Sequence, residues 1–118
     1  MTTGKDLRTG WLLLMLSSAT SSGYGYDLRR ELELRGLSLD AAVLYRNLRE
    51  MEKRALIVSH WVHSEEGPRR RVYSITAAGN AELARIAATI GEARDAHTAF
   101  LSAYAQARRP VAHGEESG

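Results

Sequence analysis

Ala42, Arg46, Arg49 and Lys53 recur at three- and four-residue intervals, with Tyr45 beside them, and Arg69, Arg70 and Arg71 stand in a row further on. On a helix the first set shares one face. Guanidinium and ammonium groups gathered in this way bind phosphate, and an arginine can also read a guanine edge through two parallel hydrogen bonds. A small residue and an aromatic at the N-terminal end of such a face suit entry into a DNA major groove. The same face would also serve as plain solvated charge. Other chemistry finds no residues to carry it. His60 and His63 stand three apart in a segment that reads as strand, so they point to opposite faces. No cysteine or carboxylate cluster completes a metal set. No Ser/His/Asp arrangement, phosphate loop or carboxylate pair is visible. The expectation is therefore a non-enzyme without metal or cofactor.

The elements that must position these residues follow from apolar periodicity. Asp40 is an N-cap, and Ala41, Leu44, Leu48, Met51 and Ala55 form the apolar side of a helix whose other side is the basic stripe. Before it, a helix over about Lys5–Ser18 has Leu7, Trp11, Leu14 and Met15 on one face. Leu12, Leu13 and Leu16 make most of the remainder apolar as well. Such a helix is expected to be buried on two sides. A second helix over Tyr24–Arg35 turns Leu28 and Leu32 inward and ends at Gly36. Leu56 to His63 alternates as a strand, Ser64–Pro68 turns, and Val72–Ile75 returns, with the three arginines just past the tip. Three helices and a hairpin with a basic tip make a winged helix-turn-helix. The fold class is mainly α with a small β-hairpin wing.

Thr76 caps a last helix reaching about Arg108. Along it Leu83, Ile86, Ile90, Ala93, His97, Phe100 and Tyr104 keep a 3-4 spacing, the pattern of a dimer seam. The expected dimer interface is Leu83, Ile86, Ile90, His97, Phe100 and Tyr104, packed on the first helix around Trp11. Trp11, Phe100 and Tyr104 together could line an apolar ligand pocket between subunits. Protonation of His97 inside the seam would weaken the dimer as pH falls. The chain thus divides into a DNA-binding unit (1–75), a dimerisation helix (76–109) and a disordered tail (110–118).

Composition agrees with this division. Of 118 residues none is cysteine, so no disulfide framework exists. The net charge is only +2, but residues 1–75 hold 12 Lys and Arg against 9 Asp and Glu, whereas residues 76–118 hold 4 against 5. The basic charge sits in front, with the candidate DNA-binding unit. The longest apolar run, Trp11–Leu16, is far short of the ~20 residues of a membrane span. No secretory signal is evident, and a cytoplasmic location is expected.

Ser22-Gly-Tyr-Gly-Tyr-Asp-Leu, Leu44-Tyr45 with Leu48 and Met51-Glu52, Leu56-Ile-Val, Gly67-Pro-Arg-Arg and Arg71-Val-Tyr-Ser-Ile-Thr-Ala-Ala-Gly79 resemble the PadR family of bacterial transcriptional regulators, over about residues 7–85. The resemblance implies a winged-helix homodimer that represses transcription from a palindromic double-stranded DNA operator. Its first and last helices would form the dimer. It also implies a DNA-contacting role for Tyr45, and for Tyr24, the aromatic after the second-helix glycine. Ala42, Arg46, Arg49, Lys53 and Arg69–Arg71 would join them. Two positions depart from the family pattern: Arg46 stands where proline is usual, and Ala55 where glycine is usual before the hairpin. A small-molecule effector, itself unspecified, is a further partner the resemblance admits. The contrasting function is a winged helix used only for protein interaction, which would have no need of the basic stripe and the three arginines.

Overall fold

The helices over Ala41–Lys53 and Ala77–Ala107 begin, and those over Gly25–Leu34 and Ala41–Lys53 end, where the sequence supplies partners for unpaired backbone groups. The computed structural model describes residues 4–18, 23–65 and 67–110. In chain order the elements are α1 (Gly4–Ser17), α2 (Gly25–Leu34), α3 (Ala41–Lys53), β1 (Ile57–Ser64), β2 (Gly67–Ile75) and α4 (Ala77–Ala107). The tail 111–118 lies outside the described residues. The architecture is a winged helix followed by a 31-residue helix. Among the described residues no helix is long and apolar enough to cross a membrane.

The Asp40 carboxylate caps α3 by accepting the Val43 amide at 2.9 Å. Helices α2 and α3 end on the same motif. In α2 the Leu37 amide returns to the Leu32 carbonyl at 2.9 Å and that of Gly36 to Glu33 at 3.0 Å, with Gly36 at φ +82°. In α3 the Leu56 amide returns to Met51 and that of Ala55 to Glu52, both at 3.0 Å. Here the left-handed position is held by Ala55 at φ +59°. The departure from glycine at this position therefore leaves the turn intact, at the steric cost a β-carbon meets in that conformation.

The start of α4 is built onto this same turn. Thr76 caps α4 by accepting the Gly79 amide at 3.0 Å, and its hydroxyl donates to the Ala55 carbonyl at 2.7 Å. The Thr76 amide donates to the Leu56 carbonyl at 3.1 Å. A β-carbon at position 79 would overlap that carbonyl oxygen, so only glycine lets α4 approach this closely. Arg54, at the α3 C-cap, pairs with Glu82 at 3.1 Å, and Arg85 grips the same carboxylate at 2.8 Å.

The core collects Leu12, Leu13 and Met15 from α1, Leu28 and Leu32 from α2, Leu44, Leu48 and Met51 from α3, Leu56, Ile57 and Tyr73 around the hairpin, and Ile86 from α4. Two expectations are corrected. Ala41 is exposed in the first turn of α3, and Ala55 lies beyond its last turn. The inward face of α1 is not Leu7–Trp11–Leu14–Met15. Leu7 and Leu14 are 40% and 48% exposed, while Thr9, Gly10, Leu12, Leu13 and Met15 are buried. The reason is close approach at small residues. Position 10 faces Ile86, whose Cγ2 would lie 3.1 Å from a β-carbon there, and the buried Asn47 amide of α3 donates to the Thr9 hydroxyl at 3.3 Å.

The strands pair antiparallel from Ile57↔Ile75 to Val62↔Arg70, with an irregularity between Val62 and Ser64. The second strand is longer than the sequence suggested and contains all three arginines. The entry to α2 adds one rung on the free edge of β2, where Tyr24 bridges Val72 and the Tyr73 amide donates to the Gly23 carbonyl at 2.8 Å.

Two outcomes follow from the α3–α4 junction. Ala55→Gly relieves the left-handed strain and should raise stability by ~0.5–1 kcal/mol, after allowance for the looser unfolded chain, seen as a higher thermal midpoint at fixed concentration. Hydrogen bonds from Arg85 and then Arg54 hold the Glu82 carboxyl down at about 2, against the opposing effect of burial. A depressed carboxylate stabilises fully above its ordinary value of 4.5 and loses that contribution as pH falls toward 2. Glu82→Gln should therefore cost ~1–3 kcal/mol at pH 7. In denaturant titrations its deficit relative to wild type should shrink steadily below pH 4.5; a deficit constant with pH would contradict the assignment.

Candidate nucleic-acid interface

With Leu44, Asn47, Leu48 and Met51 turned into the core, the helical period turns Ala42, Tyr45, Arg46, Arg49 and Lys53 outward, and all five are exposed. Tyr45 leans on the N-terminus of α2. Its hydroxyl would lie 2.7 Å from a β-carbon at position 25, so Gly25 makes the space for the ring. The helix and its stripe are as the sequence pattern indicated.

The wing arginines are positioned by the two-residue period of β2. Arg69 and Arg71 lie over the Trp61 ring at 5.0 and 5.4 Å, and Arg70 lies over Tyr24 at 5.8 Å. Arg71 has further partners. Its Nε donates to the Ser59 hydroxyl at 2.8 Å, that hydroxyl donates to the Glu52 carboxylate at 2.7 Å, and the guanidinium reaches the same carboxylate at 3.5 Å. Arg71 therefore acts as a strut between wing and α3. Arg49, Arg69 and Arg70 have no carboxylate partner among the described residues. Tyr73 is buried behind them, and burial pushes its phenol pKa up, so it stays protonated.

Together these residues enclose a cleft of about 750 Å³ between α2, α3 and the wing, lined by Tyr24, Gly25, Tyr26, Tyr45, Arg49, Trp61, Arg69, Arg70, Arg71 and Tyr73. Among the described residues no acidic side chain lines it. Arg46 and Lys53 continue the basic surface along α3 beside Glu50 and Glu52. Gly25, Tyr26, Trp61 and Tyr73 line the cleft without having been assigned a DNA contact from the sequence, and Glu52 and Ser59 join it through Arg71. Trp61 was within reach of a register argument, because it pairs with Arg71.

The expected dimer and ligand residues are placed differently. Ile86 is buried against α1 of its own chain, and Leu83 and Ile90 pack on the same core. Leu83 and Ile90 are only partly buried there. From Arg94 onward every described residue is exposed, His97 included, with Phe100 at 67% and Tyr104 at 55%. Leu101, 62% exposed, belongs with them although the seam pattern omitted it. Trp11 lies in a separate hollow of about 480 Å³ between α1 and α2, with Arg35 over its ring at 5.1 Å. Phe100 stands 14 residues beyond Ile86, about 21 Å along the helix. Trp11, Phe100 and Tyr104 therefore form no pocket within one chain. His60 and His63 are exposed, and no group of three or more metal-ligating side chains occurs among the described residues.

Comparison with known proteins bears on this surface. The model of the family described as transcriptional regulator PadR-like matches residues 12–85. A PadR family transcriptional regulator from Eggerthella lenta DSM 2243 is 29% identical over 80% of this chain and 85% of its own, with a TM-score of 0.68. A PadR-like transcriptional regulator from Bacillus cereus strain ATCC 14579 is 26% identical over 80% and 90%, with a TM-score of 0.65. PadR of Bacillus subtilis, solved in complex with operator DNA, shares the fold with a TM-score of 0.55 at 20% identity, over 67% of this chain and 45% of its own. No curated protein matches. The family match spans more than half of the sequence, from α1 into α4, and takes in α3 and the wing: the chain belongs to the PadR-like family of transcriptional regulators.

Proposed function

We propose that this chain is a sequence-specific DNA-binding repressor that acts as a homodimer on a palindromic operator. The observation that carries the reading is the cationic surface formed by Arg46, Arg49 and Lys53 of α3 with Arg69 and Arg70 of the wing, over a cleft lined by no acidic side chain among the described residues. In this reading α3 enters the major groove. Ala42 gives it close approach, Tyr45 and Tyr24 contact the backbone beside it, and Arg46 and Arg49 face base edges. Arg69 and Arg70 take phosphates, and Arg71 holds the wing at the angle that lets them do so. The complex of Bacillus subtilis PadR with operator DNA supports the same use of a shared fold.

A second copy is called for by the distal half of α4. A helix with Phe100, Leu101 and Tyr104 in water gains nothing from its apolar groups until they are covered. Leu7 and Leu14 of α1, both exposed, and the half-buried Trp11 offer apolar surface for it. Release of DNA by a small aromatic effector at Trp11, Phe100 and Tyr104 belongs to this reading, and needs the partner's α4 to bring those residues together.

Selection of bound duplexes from random DNA should return a palindrome with half-sites one helical turn apart, ~34–36 Å. Against that operator Arg49→Ala should cost ~1–3 kcal/mol and relax one position. Arg70→Ala should weaken all sequences alike and flatten the log-affinity against log-salt slope by about one unit per subunit. An unchanged slope would remove the wing from the interface, and no enriched sequence would count against specific binding altogether.

Sedimentation at micromolar concentration should show a dimer. Phe100→Glu with Leu101→Glu, both at exposed positions, should yield a folded monomer with at least tenfold weaker operator binding. Retention of the dimer by this variant would exclude distal α4 from the contact.

A further inference from the structure

We propose that the cleft between α2, α3 and the wing also binds a free nucleotide, a planar base carrying two or more phosphate charges, which competes with DNA for the same arginines. The inference rests on the DNA-binding reading only for that consequence. The binding site itself stands on the geometry of the cleft.

The cleft is richer in aromatic rings than contact with a duplex requires. Bases in a duplex are stacked on one another and present edges and phosphates, not ring faces. Yet Tyr24, Tyr26, Tyr45 and Trp61 all border this space, and Tyr73 forms its floor. Tyr26 is 71% exposed and Tyr45 37%, and neither carries an arginine over its ring. The Tyr26 ring, with the less exposed Tyr45 ring beside it in the lining, is open to stacking by a base, an interaction that single nucleotides can make and paired ones cannot.

The charge is equally specific. Three guanidiniums without carboxylate partners among the described residues, those of Arg49, Arg69 and Arg70, share one hollow with a fourth that is balanced by Glu52. Arginine forks are matched to phosphate oxygens, and several forks together favour a polyanion over a single carboxylate. Two of the three are already laid on rings, Arg69 on Trp61 and Arg70 on Tyr24. Less side-chain freedom is then lost when they engage a ligand. The volume, about 750 Å³, lies within the ordinary range of small-molecule sites. A base against Tyr26 and Tyr45 would leave its phosphates facing the wing arginines across the cleft.

The test is a fluorescence titration of the full chain carrying Trp11→Phe, so that Trp61 is the sole indole. Three probes are compared: adenosine 5′-diphosphate, adenosine, and inorganic pyrophosphate. The diphosphate should saturate with a Kd below ~1 mM and bind at least tenfold more tightly than either fragment. Tyr26→Ala should weaken the diphosphate and adenosine but not pyrophosphate. Arg69→Ala combined with Arg70→Ala should weaken the diphosphate at least tenfold; both side chains are exposed, so the hydrophobic core is left in place. Equal binding of pyrophosphate and diphosphate would reduce the cleft to a simple anion patch and overturn the proposal. So would equal binding of adenosine, or no saturation by any probe. Duplex binding is measured separately on the same protein. Saturation by the diphosphate without duplex binding would sink the repressor reading and leave this one standing. Duplex binding without saturation would do the reverse.

Discussion

The structure depends on one junction, where α3 ends, β1 begins and α4 starts. Within a few residues the left-handed Ala55 closes α3, its carbonyl receives the Thr76 hydroxyl, the Leu56 carbonyl receives the Thr76 amide, and Gly79 lies against that same carbonyl. Glu82 then ties Arg54 of the α3 C-cap to Arg85 of α4. Backbone groups left over by one element are satisfied by the next, which is how a sharp change of chain direction can be partly buried without unpaired polar groups. The pose of α3, the root of the wing and the direction of α4 are all set at this point.

The second constraint is the strut from Glu52 through Ser59 to Arg71. It joins the last turn of α3 to the middle of the wing and fixes their mutual angle. One of the three consecutive arginines is thereby made structural, which frees the other two to face outward. Trp61 completes the arrangement as a ring on which Arg69 and Arg71 lie.

Much of this was legible in the residues. Asp40, Thr76 and Gly36 mark helix ends because their chemistry is local, and the stripe Ala42–Arg46–Arg49–Lys53 follows from helical period alone. What remained hidden depends on partners far apart in the chain. Large side chains on α1 pointed to a Leu7–Trp11–Leu14 face, whereas the packed face is centred on Thr9 and Gly10, because small residues admit Ile86 and Asn47. The seam on α4 was read as one surface, yet in its first half Ile86 is buried within the chain and Leu83 and Ile90 pack partly on the same core. Periodicity shows that a face will be covered, not by what. The role of Arg71 depended on Glu52 and Ser59, which no spacing rule connects.

Helix α4 runs about 46 Å and is held only over its first few turns. It is a lever with its fulcrum at the Gly10–Ile86 contact. A tilt of about 5° there moves the far end, about 32 Å beyond Ile86, by about 3 Å. One base pair of duplex rises ~3.4 Å. A change of a single methyl group at the fulcrum is thus geared up to the scale of one base pair at the tip. In the proposed dimer, sequence drift at this buried contact would therefore retune which half-site spacing is accepted.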